Sequence, residues 1–157
     1  MLIYLMRHGI ATPRGESSID DASRALTPEG LEKVRRIGQA LRRLKAEIDE
    51  IWTSPLLRAH QTAEITASAF ALAHAMRIVR ELEPSGDTQA LIDQLRKTPG
   101  LRGVLLVGHE PDMGALARKL ICGRQVEGPP GRSASIRFKK GGVACIAMDE
   151  KGATRAR

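Results

Sequence analysis

The chain has 157 residues, 42% of them hydrophobic, which is enough for one compact domain with a buried core. Lys and Arg outnumber Asp and Glu by 25 to 18, and the net charge of +7 favours anionic partners such as phosphorylated groups or acidic proteins. The few aromatic residues make nucleic acid an unfavourable partner, and apolar runs far shorter than the roughly 20 residues of a membrane helix predict a cytoplasmic protein without membrane association.

The first half of the chain predicts two strands, each followed by a helix. The run "LIYLM" is the first strand, and the next helix begins where Thr27 can act as cap and Pro28 fits the first turn. One face of this helix is predicted to be apolar, with the residues Leu31, Val34, Gly38, Leu41 and Leu44. "EIWTS" is a second strand, and "SPLLRAHQTAEITASAFA" is a second helix with Ser54 or a neighbour at its cap.

The second half continues the alternation of strands and helices. "RIV" and "GVLLV" are predicted strands, "TQALIDQLRK" and "PDMGALARKLI" are helices, and Gly123 ends the last one. "SIRF" and "VACIAM" around "KKGG" predict a hairpin. We therefore expect a single α/β domain over residues 1–157, with three layers, a mostly parallel central sheet and a flexible tail from about residue 150. The stretch 123–133 is expected to be a surface loop.

Charged and histidine residues follow three of the predicted strands. The first strand ends in Arg7-His8-Gly9, the second leads into a segment with Arg58, and "GVLLV" leads into Gly108-His109-Glu110. In open α/β sheets ligands bind in the crevice beyond the carboxyl ends of the strands. The sequence therefore predicts one pocket that contains two histidines and two arginines.

This set of residues suits phosphoryl transfer. The planar guanidinium groups of Arg7 and Arg58 can each bind two phosphate oxygens and stay charged at any working pH. His8 is the candidate nucleophile, since a neutral imidazole can attack phosphorus and Gly9 lets the main chain approach the phosphate. His109 would then donate a hydrogen bond to the same phosphate.

The segments "RHG", "SPLLRAHQTAE" and "VGHEP", in this order, resemble the histidine phosphatase superfamily. The short length, "RALTPEG" and "ELEPSGD" are similar to the SixA-like phosphohistidine phosphatases over nearly the whole chain. The resemblance implies a phosphoglycerate mutase-like fold, His8 as the phosphorylated nucleophile, and Arg7, Arg58 and His109 as the rest of the phosphate pocket. It implies no cofactor and no metal. Ile10 departs from the acidic or small polar residue often found there.

Other titratable residues are better explained as structural or solvated. His60 lies two positions after Arg58 and projects from another face of the helix, and His74 has no predicted partner. Asp20 and Asp21 are expected to form a solvated cluster of loop charges. The cysteines, Cys122 and Cys145, are expected to be buried thiols.

The general acid that protonates an alcohol leaving group is not obvious in this sequence. Glu83 and Glu110 are the two candidates. A phosphohistidine ring can already be protonated near neutral pH and needs less help to leave than an alkoxide does. We therefore expect a hydrolase that removes phosphate from phosphohistidine on a protein.

Two alternatives remain open at this point. The first is a phosphomonoesterase of the same superfamily that acts on a small phosphate ester. The second is a non-catalytic module that binds phosphate or a polyanion, which the intact His8 disfavours. A metal-dependent hydrolase is less favoured, since the two histidines lack a carboxylate-rich set of ligands at suitable spacing.

Overall fold

The computed structural model describes residues 1–15, 20–98, 100–122, 136–148 and 154–156. Its helices are α1 (Pro28–Arg43), α2 (Leu57–Phe70), α3 (Thr88–Arg96) and α4 (Asp112–Cys122). Its strands are β1 (Leu2–Arg7), β2 (Glu50–Thr53), β3 (Met76–Ile78), β4 (Gly103–Gly108), β5 (Val143–Met148) and β6 (Thr154–Ala156). Short 3₁₀ turns lie at Asp21–Ser23, Ala73–Ala75 and Arg80–Leu82.

The sheet has the strand order β3-β2-β4-β1-β5-β6. Strands β3, β2, β4 and β1 are parallel, whereas β5 runs antiparallel to β1 and β6 antiparallel to β5. The sheet is therefore mostly parallel, as the alternation of strands and helices predicted. In the described part of the chain, no helix is long and apolar enough to span a membrane.

The helices cover both faces of the sheet. Successive side chains of a strand point to opposite faces, and β1 shows this clearly. Ile3 and Leu5 belong to an apolar cluster with residues of α3 and α4, whereas Tyr4 and Met6 belong to a second cluster with residues of α1 and α2. The predicted three-layer α/β architecture is confirmed.

Helix α1 begins where the sequence predicted. The Thr27 hydroxyl accepts a hydrogen bond from the Gly30 amide at 3.0 Å, a cap that stabilises a helix by about 1 kcal/mol. A side chain at position 30 would collide with the main-chain oxygen of Ile10, so glycine lets α1 pack closely on the segment that follows His8. The prediction for Leu44 was wrong, because it lies at the C-cap of the helix and is 78% exposed.

Helix α2 begins later than predicted. Its cap residue is Leu56, which makes no side-chain capping bond, and both Ser54 and Pro55 precede the helix. The Ser54 hydroxyl instead accepts from the Leu56 amide at 3.3 Å. Ser54 thus belongs to the turn between β2 and α2.

The predicted C-terminal hairpin does not form. Residues 136–138 are not in a strand, and β5 pairs with β1 on one side and β6 on the other. The reason lies at Gly141, whose amide bonds to the main-chain oxygens of Arg7 and His8 at 3.1 Å each. This contact anchors the "KKGG" turn at the end of β1 and directs β5 alongside that strand.

The two cysteines are less buried than the sequence predicted. Cys122 is exposed and Cys145 is half-buried, so the prediction of two buried thiols was wrong. Cys122 is the last residue of α4, where the helix leaves the core. Gly123 and the predicted surface loop 123–133 lie outside the described residues, and β6 lies within the segment that we expected to be a flexible tail.

Candidate active site

The ends of β1 and β4 place two histidines side by side. The strands pair in parallel with Arg7 opposite Gly108, and the His8 amide donates to the Gly108 oxygen at 3.0 Å. The ring centroids of His8 and His109 are 5.1 Å apart, and their planes are inclined by 52°. Both residues are buried. Two histidines separated by about a hundred positions in sequence thus share one site.

The hydrogen bonding of His8 defines which ring nitrogen is free. Nδ1 lies 2.7 Å from the main-chain oxygen of Gly9. A carbonyl can only accept, so Nδ1 carries the proton and the neutral ring has its lone pair on Nε2. Burial, followed by the charges of Arg58 and Arg7, lowers the pKa of His8 to about 4. The ring is therefore neutral at pH 7 and can act as a nucleophile.

His109 is held by the turn after β2. Its Nε2 lies 2.9 Å from the Ser54 hydroxyl, and the Ser54 amide donates to the Val107 oxygen at 3.0 Å. Burial lowers the pKa of His109 to about 3, and repulsion by His8 and Arg58 acts in the same direction. The second ring is therefore also neutral at pH 7.

Arg58 is buried in the first turn of α2 and is bonded to Asp21. Its Nη1 donates to the main-chain oxygen of Asp21 at 2.7 Å and its Nη2 donates to Asp21 Oδ2 at 3.1 Å. Asp21 also accepts from Arg24 and Arg14, and its bond to Arg14 is the largest of the effects that lower the pKa of its carboxyl to about 2. The prediction that Asp20 and Asp21 are merely solvated was wrong for Asp21. Its partner lies 37 positions away, beyond the reach of local sequence patterns.

Three buried nitrogens of this site have no hydrogen-bond partner among the described residues. They are Arg7 Nε, Arg58 Nε and His109 Nδ1. Arg7 uses its Nη1 to bond the Phe138 oxygen at 2.9 Å, which fixes the guanidinium at the end of β1. A buried polar group without a partner costs about 1–3 kcal/mol, so this cluster of nitrogens is suited to an anion with several acceptor oxygens.

Gly9 connects the first strand to α2. Its amide donates to the Thr62 hydroxyl at 3.0 Å, and that hydroxyl donates to the Arg58 oxygen at 2.7 Å. A Cβ at position 9 would lie 2.7 Å from Val34 Cγ2. Glycine is therefore required here by close packing against α1, a reason that the sequence did not reveal.

The two candidate acids are placed differently. Glu110 Oε1 accepts from the Phe138 amide at 2.7 Å, and Glu110 lines a cavity of about 570 Å³ together with Arg7, Arg118 and Arg137. Glu83 follows the 3₁₀ turn at Arg80–Leu82 and makes no side-chain hydrogen bond within the described part of the chain. Neither carboxylate is bonded to His8 or His109 in that part.

The remaining histidines lie away from this cluster. His60 Nδ1 is 3.5 Å from Glu64 one turn along α2, and His74 is exposed. Among the described residues, no group of three or more His, Cys, Asp or Glu side chains could hold a metal ion.

Known proteins resemble this chain in sequence. The sequence model of the histidine phosphatase superfamily (branch 1) matches residues 3–83. Phosphohistidine phosphatase SixA of Escherichia coli is 32% identical over 154 residues, which are 97% of this chain and 88% of SixA. An uncharacterised protein of Picosynechococcus is 37% identical over 127 residues, 79% of this chain and 75% of the relative.

A solved structure shows the same fold. The protein histidine phosphatase SixA complexed with tungstate superimposes with a TM-score of 0.86 at 29% identity, covering 100% of this chain and 94% of that one. The similarity thus extends over the whole sheet and both layers of helices. The sequence matches and the shared fold together show that this chain belongs to the histidine phosphatase superfamily.

Proposed function

We propose that the protein is a metal-independent phosphohistidine phosphatase in which His8 is the nucleophile. The observation that carries this proposal is the cluster of unpaired buried nitrogens on Arg7, Arg58 and His109 beside a neutral His8. A phosphoryl group offers three equatorial oxygens, which is the number of acceptors that these donors need. The tungstate held by the related SixA structure is an oxyanion of this kind.

The first step transfers the phosphoryl group to His8. The lone pair of Nε2 attacks phosphorus, and the new N–P bond forms as the P–N bond of the substrate breaks. The electron pair of the broken bond stays on the departing imidazole, which leaves as a neutral ring if its other nitrogen is protonated. Nδ1–H of His8 remains bonded to the Gly9 oxygen and disperses the positive charge of the phosphorylated ring. Arg7 and Arg58 stabilise the charge on the equatorial oxygens.

The second step releases inorganic phosphate. Water attacks phosphorus in line with the N–P bond, and the electron pair of that bond returns to Nε2. One water proton stays on the new P–O–H group and the other goes to a phosphate oxygen. His8 is thereby restored to its neutral form, which the low pKa of this ring favours.

The placement of the candidate general acids supports phosphohistidine as the substrate class. Glu110 accepts a main-chain hydrogen bond from Phe138, a structural task that ties its carboxylate to the segment beside Arg7. Within the described residues neither Glu83 nor Glu110 is bonded to His8 or His109. A site in which no carboxylate is held against the nucleophile favours a leaving group that carries its own proton, as phosphohistidine does. The relative SixA is a phosphohistidine phosphatase, and this supports phosphohistidine as the substrate class. Arg118 and Arg137, which line the adjoining cavity, suit a phosphorylated protein with an acidic surface.

Comparing kcat/KM for different leaving groups tests the proposal. Phosphohistidine on a protein should be cleaved far better than phosphoserine or a sugar phosphate, with an aryl phosphate between them. Glu83→Gln and Glu110→Gln should lose little on phosphohistidine. If the wild type cleaves alkyl phosphate esters rapidly and either variant abolishes that cleavage, the phosphomonoesterase alternative is favoured instead.

A further inference from the structure

We infer that Ser54 is a positioning residue that fixes His109 as the Nδ1–H tautomer, so that this ring donates its Nδ1–H to a phosphoryl oxygen. The tautomer follows from contacts inside the protein alone. The donation to phosphate rests on the proposed function. The two parts are therefore tested separately.

The proton of the Ser54 hydroxyl needs an acceptor inside the protein. Ser54 is fully buried, and its Oγ accepts from the Leu56 amide at 3.3 Å and lies 2.9 Å from His109 Nε2. A hydroxyl has one proton to donate. If His109 Nε2 carried a proton, Ser54 would accept twice and its own proton would have no acceptor among the described residues. Donation from Ser54 to Nε2 pairs both the hydroxyl proton and the Nε2 lone pair, and buried hydroxyls strongly favour such pairing.

The other ring nitrogen of His109, Nδ1, has no partner among the described residues. Burial keeps the His109 ring neutral at pH 7, so only one of its nitrogens carries a proton. If Nε2 accepts from Ser54, that proton is on Nδ1, which is one of the three unpaired nitrogens of the site. The Ser54 amide is bonded to Val107, in the strand that ends just before His109. The sheet itself therefore holds the hydroxyl against the ring.

The two histidines then have opposite roles set by opposite hydrogen bonds. His8 uses Nδ1–H to bond the Gly9 oxygen, and its Nε2 lone pair is free for attack. His109 uses Nε2 to accept from Ser54, and its Nδ1–H is free to donate. With the other tautomer, the Nδ1 lone pair of His109 would repel the phosphoryl oxygens. Ser54 thus converts a second potential nucleophile into a hydrogen-bond donor.

Nitrogen NMR of the full-length protein with ¹⁵N-labelled histidine tests the tautomer directly. At pH 7 and without phosphate, His109 should show a protonated Nδ1 and an unprotonated Nε2, with its signals assigned by their loss in His109→Asn. A protonated Nε2 would overturn the inference. This readout does not depend on turnover, so an inactive protein with the expected tautomer would count against the proposed function and not against Ser54.

Variants test the positioning role. Ser54→Ala should shift His109 to a mixture of tautomers and lower kcat on the order of tenfold with little change in KM, because the donated bond strengthens in the transition state. Thr66→Val is the matched control, since it removes a buried hydroxyl whose one partner among the described residues is the Thr62 oxygen within α2. A Ser54→Ala protein with the wild-type tautomer and kcat would refute the role. If Ser54→Ala does not fold, the His109 tautomer measured in the wild-type protein decides whether the inference holds.

Discussion

Asp21 holds the buried guanidinium of Arg58 from two sides, through its main-chain oxygen at 2.7 Å and its carboxylate at 3.1 Å. These bonds use Nη1 and Nη2 and leave Nε of Arg58 without a partner among the described residues. Asp21 thereby sets the orientation of Arg58, the arginine of α2 that we propose binds the phosphoryl group. In that proposal Asp21 is a positioning residue for the site.

Replacing Asp21 should lower the catalytic efficiency without disrupting the fold. Asp21→Asn keeps the main-chain bond to Nη1 but removes the charge that pairs with Arg58, and we expect kcat/KM to fall by roughly tenfold as the guanidinium loses its fixed orientation. Steady-state kinetics on an aryl phosphate and thermal unfolding measure the two effects. Asp93→Asn is the control, because Asp93 pairs with the exposed Arg96. Equal kinetics in both variants would show that Asp21 does not position Arg58.

The two arginines of the site should each be essential for turnover. Arg7→Ala or Arg58→Ala should lower kcat by on the order of a hundredfold or more, as the loss of a dedicated donor to a developing oxyanion does. Lysine at either position should restore only part of the rate, because an ammonium group cannot keep the guanidinium's bonds to the Phe138 or Asp21 oxygens and also bind the phosphoryl group in the same geometry. Arg36→Ala, which breaks only an exposed pair with Glu32, should leave the rate unchanged. A loss of tenfold or less in both alanine variants would contradict the proposed roles.

The buried histidines should make stability depend on pH. His8 and His109 have pKa values of about 4 and about 3 when folded, against an ordinary 6.5 when unfolded. Between these values the unfolded chain binds more protons, so the free energy of unfolding is highest above pH 6.5 and falls as the pH drops towards 4. The carboxyl of Asp21, with its pKa lowered from an ordinary 3.8 to about 2, loses its contribution only as the pH falls from about 4 to about 2.

Urea unfolding at pH 7 and pH 4.5 measures this difference. The double variant His8→Asn/His109→Asn should lose much less stability over the same interval than the wild type. His74→Asn is the control, because His74 is exposed. If the double variant loses as much stability as the wild type, the two rings are not buried in their neutral form.

Chelation should leave turnover unchanged. In the proposed mechanism arginines stabilise the charge of the transition state, a task that a divalent cation performs in metal-dependent phosphatases. The rate on an aryl phosphate should be the same before and after dialysis against a chelator. A loss of activity that added divalent ion restores would contradict metal independence.

Local patterns in the sequence predicted most of the fold. The apolar stripe and the Thr27-Pro28 start defined α1, and the buried run before Gly108 defined β4. The prediction of the C-terminal hairpin was wrong because the alternation of side chains within "VACIAM" indicates that a strand forms but not which strand it pairs with. That choice depended on the bond from Gly141 to the end of β1, a contact between distant segments.

The site was predictable to the extent that its residues follow strands. Arg7 is the last residue of β1, and His8 and His109 directly follow β1 and β4, so the topology alone brings them together. Asp21 and Ser54 were missed as partners because each acts through hydrogen bonds to a residue far away in sequence. No periodicity or spacing in the sequence indicates such contacts. Ser54 directly follows β2, however, and its position alone would have justified including it among the candidate site residues.

The most direct test of the central claim is to identify the residue that becomes phosphorylated. The full-length protein is incubated with a radiolabelled phosphate donor and quenched, and the label is mapped by peptide mass spectrometry. The proposed mechanism predicts acid-labile, alkali-stable phosphate on His8, absent in His8→Ala and retained in His60→Ala. Label on any other residue, or turnover by His8→Ala at the wild-type rate, would contradict it.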